Sequence, residues 1–239
     1  MSVTRASTVA IQAWAWMGGA LFVTALAVYA RFFIVLGTPG PDGVPVAAAI
    51  AWNASLFTLF AAHHSLMART GAKAWLVRRL PAVLERSAYV WVASIVFIGV
   101  CLLWQRVPGM VYQIAPPLSW LGTAVQAAGV VVTVAGARVL DGLELAGIRQ
   151  TQRPSSGRPA EIRIVWPFTI VRHPIYLGWA LIVCGAPAMT LDRLVWAVVS
   201  TGYLVIAMPW EERSLSAAAG PAYSAYQRQV RWRMVPWVY

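Results

Sequence analysis

SAYVWVASIVFIGVCLLW, residues 87–104, carries no charged side chain and is bracketed by Arg86 and Arg106. At eighteen residues it passes the lower limit of about 17 for a helix that crosses a bilayer. Working outward, similar apolar runs cover 9–36, 44–67 and 118–140, each long enough to span. Two shorter runs, 176–191 and 194–210, are separated only by Asp192 and Arg193. They read as a tight helical hairpin that either barely spans or sits tilted in a locally thinned bilayer. The expected fold is an all-α, polytopic membrane helical bundle forming a single domain over 1–239. Four transmembrane helices fall in 1–140, and a long loop, the short hairpin and a tail fall in 141–239.

Composition supports this. The chain is 59% hydrophobic and 11% charged, where soluble domains carry about 25% charged residues. No room is left for a separate soluble domain. Thirteen Trp and eight Tyr suit a chain that crosses the headgroup region repeatedly, although an aromatic ligand cage is the alternative reading. The net charge of +11 does not indicate nucleic acid, because the basic residues cluster between apolar runs. Cys101 and Cys184 lie inside such runs and are expected to be buried thiols rather than a disulfide. The run 9–36 is too long for a signal-peptide core and lacks a small-residue cleavage site.

Arginine and lysine in short loops set orientation. Stretch 68–86 carries Arg69, Lys73, Arg78, Arg79 and Arg86, and stretch 141–175 carries Arg149, Arg153, Arg158, Arg163 and Arg172. The tail adds Arg213, Arg228, Arg231 and Arg233, whereas 37–45 has no basic residue and 105–117 has only Arg106. Six crossings then place all three basic regions and both termini on the cytoplasmic side. Within 69–84, Trp75, Leu76, Leu80 and Leu84 recur at near-helical spacing, as in a short interfacial helix; an ordinary basic connection is the other reading. The loop 145–171, with Pro154, Ser155, Ser156, Gly157 and Pro159, is long enough to be either functional or disordered.

The chemistry concentrates in Arg172-His173-Pro174-Ile175-Tyr176-Leu177-Gly178 and in Glu211-Glu212. Pro174 fits the first position of a helix, which puts Arg172 and His173 at its electropositive entrance, a place that favours an anion. Gly178 permits close approach of a ligand or of another backbone. Residues 173 and 211 are equidistant from 192 in the hairpin, so His173 and Glu211 return to the same membrane face. Two acidic groups at a helix C-terminus oppose its dipole. Either Arg172 or Arg213 compensates them, or a ligand's ammonium or ribose hydroxyls do. His63 and His64 end the second run, where adjacent positions point in different directions and make a poor metal pair; a haem ligand or a polar interfacial residue are the two readings. No zinc-type Cys/His spacing and no glycine-rich phosphate loop occurs, so no metal site is assigned.

These residues, with Arg213-Ser214-Leu215, Gly220, Tyr223, Tyr226, Val230-Arg231-Trp232 and Pro236, resemble the isoprenylcysteine carboxyl methyltransferase superfamily. The order is RHPxYxG, then EExxL, a Gly, two Tyr and a final Pro, over about seventy residues. Gly147-Ile148-Arg149-Gln150, Ala186-Pro187-Ala188-Met189-Thr190, and the run from His64-Ser65-Leu66-Met67-Ala68-Arg69 through Glu85-Arg86-Ser87 are similar to the branch holding methanethiol S-methyltransferases and NnrU-like membrane proteins.

The resemblance implies an S-adenosylmethionine-dependent methyltransferase of a bacterial inner membrane, with a cytosol-facing cofactor pocket. Phe168, Arg172, His173, Pro174, Tyr176, Gly178, Glu211 and Glu212 are the expected cofactor-binding residues, with backbone near 160–163. Arg172 is expected to take the cofactor carboxylate, and Glu211 its ammonium or ribose. No catalytic base is assigned. Two positions depart from the family pattern: Trp166 and Phe168 stand where a Gly and a Tyr are common before RHP. Where the carboxyl methyltransferases place an Arg four residues before the glutamate, this chain has Ala207, which favours a small or lipophilic acceptor such as a thiol over a carboxylate. The alternatives are a prenylcysteine carboxyl or phospholipid amine methyltransferase, and a non-enzymatic haem- or quinone-associated membrane protein. The bilayer and the methyl acceptor are the implied partners.

Cysteines engineered at positions 42 and 155 should be labelled by an impermeant maleimide from opposite sides of the membrane; labelling of both from one side contradicts the orientation.

Overall fold

The computed structural model describes residues 5–67, 69–152 and 162–239. Among them the chain forms α1 (Arg5–Val35), α2 (Val46–Met67), α3 (Thr70–Val77), a 3-10 turn (Ala82–Leu84), α4 (Glu85–Leu103), β1 (Met110–Gln113), α5 (Ser119–Val139) and α6 (Gly142–Leu145). These are followed by α7 (Arg149–Gln152), α8 (Pro174–Cys184), β2 (Ala188–Thr190), α9 (Leu191–Ala219) and α10 (Pro221–Gln229). Five helices are long and apolar enough to cross a membrane, namely Thr8–Val35, Val46–Met67, Ala82–Leu103, Ser119–Val139 and Leu191–Ala219. Leu102 is 71% exposed and Ile206 also 71%, as befits side chains that face lipid. The chain is an all-α multi-pass membrane protein.

The two final apolar runs are unequal rather than both short. α8 has 11 residues, about 16 Å at 1.5 Å per residue and well under the roughly 30 Å hydrocarbon core. α9 has 29, because Glu, Arg, Ser, Leu and Ala beyond Trp210 sustain a helix after the apolar count has ended. Asp192 and Arg193 are not the turn between them. Thr190 caps α9 by accepting from Arg193 N, and the chain turns in 185–190. Helix-free backbone in this setting must find partners, and it does. The Ala186 carbonyl accepts from Tyr112 Oη, that of Pro187 from Ile114 N, and that of Ala188 from Arg193 Nη1. β2 pairs antiparallel with β1.

Contacts divide the chain into two units. In the first (1–35, 47–105 and 141–156), α1 packs on α4 through Trp14 and Trp91, with ring centroids 4.9 Å apart and Trp91 Nε1 donating to the Trp14 carbonyl. Fully buried Asn53 of α2 ties itself to the end of α4, its amide donating to Gln105 O at 2.8 Å and accepting from Gln105 N at 2.9 Å. Gly147, at φ +76°, lies where a Cβ would come within 2.7 Å of Ser87 N, and Ile148 is buried with Ala15. Asp141 caps α6 and is bonded by Arg149 Nε at 2.8 Å. The stretch 69–84 contains the short helix α3 and the 3-10 turn.

In the second unit (36–46, 106–140 and 157–239), α5 and α8 touch backbone to backbone. Gly122, Gly129 and Gly136 recur every seven residues on α5, and ideal Cβ atoms there would fall 2.8 Å from Gly185 O, 2.7 Å from Gly178 O and 2.9 Å from Ile175 Cγ1. Small residues permit this approach, which is how helices associate where lipid removes the hydrophobic drive. Gln126 Nε2 adds a bond to Ile182 O at 2.8 Å. At the N-terminal end of α9, Arg106 Nε reaches the wholly buried Asp192 at 2.7 Å, which also accepts from Val107 N. Arg106, expected only as an orientation marker, is thus a fixed partner of that carboxylate. Cys101 is buried and Cys184 exposed, both as free thiols; Cys184 therefore departs from the expected burial, because α8 turns that position outward.

Gly178→Ala should lower stability by about 1–3 kcal/mol, read as a fall in detergent-solution melting temperature, since its Cβ would sit 2.6 Å from Gly129 O.

Candidate functional site

α8 begins at Pro174, whose fixed φ and missing N–H suit the first helical position, with His173 as the residue before it. α9 carries Glu211 and Glu212 two turns before its end. The hairpin brings these ends together: His173 Nε2 lies 3.3 Å from Glu212 Oε1, and His173 Nδ1 lies 3.8 Å from Glu211 Oε2. The His173 ring stacks on Tyr176 with centroids 5.3 Å apart, and Tyr176 Oη donates to Glu211 Oε2 at 2.6 Å.

The two glutamates have different surroundings. The Glu212 side chain is 6% exposed and that of Glu211 43%. Glu212 receives Arg172 Nε on Oε1 at 2.6 Å and Arg233 Nε on Oε2 at 3.1 Å, besides the His173 contact. A buried carboxylate needs such charged donors. Arg172 is held further by the carbonyls of Val230 and Arg231, which accept from Nη1 at 2.8 and 2.7 Å. The backbone N–H groups of Arg172 and His173 donate to the carbonyls of Trp232 and Arg233. Three chain segments, 172–173, 212 and 230–233, therefore close on one anion.

Arg172, expected to take a cofactor carboxylate, has its guanidinium engaged by the protein's own Glu212 and tail carbonyls, and its side chain is 7% exposed. Of the two arginines weighed as compensation for the glutamates, Arg172 supplies it; Arg213 lies over the Trp210 ring at 4.6 Å.

Phe168 sits beside this cluster rather than in it. It packs with Ile162 and Ile164 against buried Tyr223, Tyr226 and Val230, and its carbonyl accepts from Tyr226 Oη at 2.9 Å. Burial pushes the Tyr226 phenol up to about 12, so it remains a donor at neutral pH. Pro174 and Gly178 are buried on the side of α8 that meets α5. The close neighbour that Gly178 admits is therefore a backbone, that of Gly129. Residues 160 and 161 of the expected cofactor stretch, and Pro154, Ser155, Ser156, Gly157 and Pro159 of the loop, lie outside the described residues.

Arg233 is the functional-cluster residue that sequence reasoning missed. It was read as part of a basic tail, yet a pair of acidic groups with one obvious cation is a signal to look for a second. His63 and His64 belong to the other unit, where His64 Nδ1 lies 2.6 Å from Tyr89 Oη and the His63 ring stacks parallel to Tyr89. Among the described residues, no three His, Cys, Asp or Glu side chains converge as a metal site.

The arrangement offers one accessible carboxylate, Glu211, held by a phenol and flanked by an aromatic pair, above a rigid ionic base. Such a surface suits a small cationic or hydroxylated ligand. Known proteins resemble the chain along most of its length. The chain is 33% identical over 208 residues to a methanethiol S-methyltransferase of Mycobacterium tuberculosis, covering 81% of this chain and 80% of that one. It is 35% identical over 185 residues to methanethiol S-methyltransferase 2 of Bradyrhizobium diazoefficiens, covering 76% and 71%. A methanethiol S-methyltransferase of a Pseudomonas species is 32% identical over 228 residues, covering 88% and 84%. No family model and no solved structure matches the chain.

Glu212→Ala should destabilise the fold by about 3–5 kcal/mol, because it leaves Arg172 buried without its counter-charge, whereas Glu211→Ala should change the melting temperature little. Equal effects of the two substitutions in thermal unfolding contradict this division.

Proposed function

Since the chain belongs to the methanethiol S-methyltransferase family, we propose that it transfers a methyl group from S-adenosylmethionine to a small thiol, at the site around Glu211 and Tyr176. It is a membrane methyltransferase; the donor, the acceptor and the site are the proposal. S-Adenosylmethionine supplies a methyl group already activated on a cationic sulfonium, so the acceptor thiol exchanges its proton for that methyl, one S–C bond forming as another breaks and the proton passing to water.

The observation that carries the reading is the contrast between the glutamates. Glu212, with Arg172, Arg233 and His173, is spent on holding α8, α9 and the tail together. Glu211 keeps an exposed carboxylate with one phenol donor, which fits the ammonium or a ribose hydroxyl of the cofactor. The stacked rings of His173 and Tyr176 fit a neighbouring cation, through the attraction of aromatic faces for positive charge. Phe168 and Pro174 take the place of apolar supports at the edges, and Gly178 lets α5 pack close behind. Catalysis then rests on alignment and on the exclusion of water from the nucleophile.

The acceptor side of α9 is apolar. Ala207 stands where related carboxyl methyltransferases carry an Arg, and it is flanked by Ile206 and by wholly buried Met208. A carboxylate acceptor brought there would lack a counter-charge, which is strongly disfavoured. A thiol enters neutral and avoids that cost. We place the site and both termini on the cytoplasmic side of a bacterial inner membrane, and take 1–239 to act as one membrane domain; the basic stretches support that orientation.

Purified protein incubated with methyl-labelled S-adenosylmethionine and a panel of thiols, prenylcysteines and phospholipids should methylate small thiols, giving dimethyl sulfide from methanethiol. Robust turnover of a prenylcysteine carboxylate with no methylated thiol contradicts the proposal.

A further inference from the structure

Tyr223 is 4% exposed, and among the described residues its hydroxyl has no hydrogen-bond partner. Its neighbour in α10, Tyr226, is satisfied by the Phe168 carbonyl. A sealed polar atom without a partner is uncommon in a native fold and asks for a reason, an absent ligand among them. The atom is well placed for one. Tyr223 lies in the cluster formed with Tyr226, Val230, Ile162, Ile164 and Phe168. Burial, and then the Glu212 carboxylate, raise its phenol above the ordinary tyrosine value, with a smaller push from Glu211. Tyr223 Oη therefore stays protonated, a hydrogen-bond donor, and its cluster adjoins the clamp, since Val230, packed with Tyr223, offers its carbonyl to Arg172.

The cofactor assigned above ends in an amino acid, whose ammonium and carboxylate stand on one carbon atom. Glu211 answers the ammonium. The carboxylate needs a donor, and Arg172 is committed to Glu212, Val230 and Arg231. We infer that Tyr223 Oη donates a hydrogen bond to the carboxylate of the bound cofactor, an inference that rests on the proposed reading of the site. Ile162, Ile164, Phe168 and Ala219 pack against the cluster that holds Tyr223, and this packing yields locally as the ligand seats.

The test uses the full chain in lipid nanodiscs, with Tyr223→Phe beside the unaltered protein and two ligands, S-adenosylmethionine and its decarboxylated form. Removing an unsatisfied hydroxyl relieves its burial, so the unliganded Tyr223→Phe protein should melt at the same temperature or higher. Its affinity for S-adenosylmethionine should fall about tenfold, the factor expected for a lost hydrogen bond to a charged group. Its affinity for the decarboxylated form should equal that of the unaltered protein. A lower melting temperature without ligand, unchanged affinity for S-adenosylmethionine, or an equal loss for both ligands overturns the inference while the proposed site stands. Failure of the unaltered protein to bind S-adenosylmethionine at all overturns both.

Discussion

One buried carboxylate, that of Glu212, decides whether this end of the protein has a shape. Removing a charge from water is costly unless it is paired and its remaining lone pairs are satisfied. Glu212 meets that condition by recruiting Arg172 from the start of α8 and Arg233 from beyond α10, with His173 between them. Because Arg172 is also bonded to tail carbonyls, the requirement of a single anion is transmitted to segments as far apart in sequence as Arg172 and Arg233. Glu211, one residue earlier on the helix, pairs with no arginine among the described residues and keeps a side chain that is 43% exposed. Adjacent side chains on a helix point about 100° apart, so one can be consumed by the scaffold while its neighbour faces outward.

The membrane-spanning helices were legible because burial in lipid demands length and uniform apolarity, both of which a single sequence displays. His173 does meet the two glutamates, as the hairpin reading expected, but not by equidistance from 192: the chain turns in 185–190, and the extended backbone of β2 covers part of the length that α8 lacks. What the sequence did not display was where helix stops and where charge goes. The turn was placed at Asp192–Arg193 because charged residues suggest exposure, yet Asp192 is wholly buried against Arg106. α9 was ended at Trp210 because the apolar run ends there, although nothing in Glu211-Glu212-Arg213 opposes a helix. Arg172 was read both as a partner of the glutamates and as a ligand residue, because its internal partner, reached through the fold, is 40 residues away. For Asp192 and Arg172 the partner came through the fold, as a long-range ion pair.

The glycines of α5 are a second constraint, independent of charge. Between helices in lipid there is little to gain from hiding apolar surface, so affinity comes from dispersion and from polar contacts at short range. The spacing of Gly122, Gly129 and Gly136 supplies a flat face along which short α8 lies. A helix too short to span by itself is held by that face and by the bonded backbone of 185–190, and this is what fixes His173 and Tyr176 at the level of Glu211.

The ionic clamp also has a history within each molecule. Residues 230–233 follow α8 and α9 in the chain, so during synthesis an interval passes between the helices and the tail. Through that interval Arg172 has no tail carbonyls and Glu212 has only one of its two arginines. The clamp thus stays incomplete until the tail folds back, and a chain interrupted between Ala219 and Arg233 would carry all five candidate membrane helices of the described residues and still lack the finished clamp beneath Glu211.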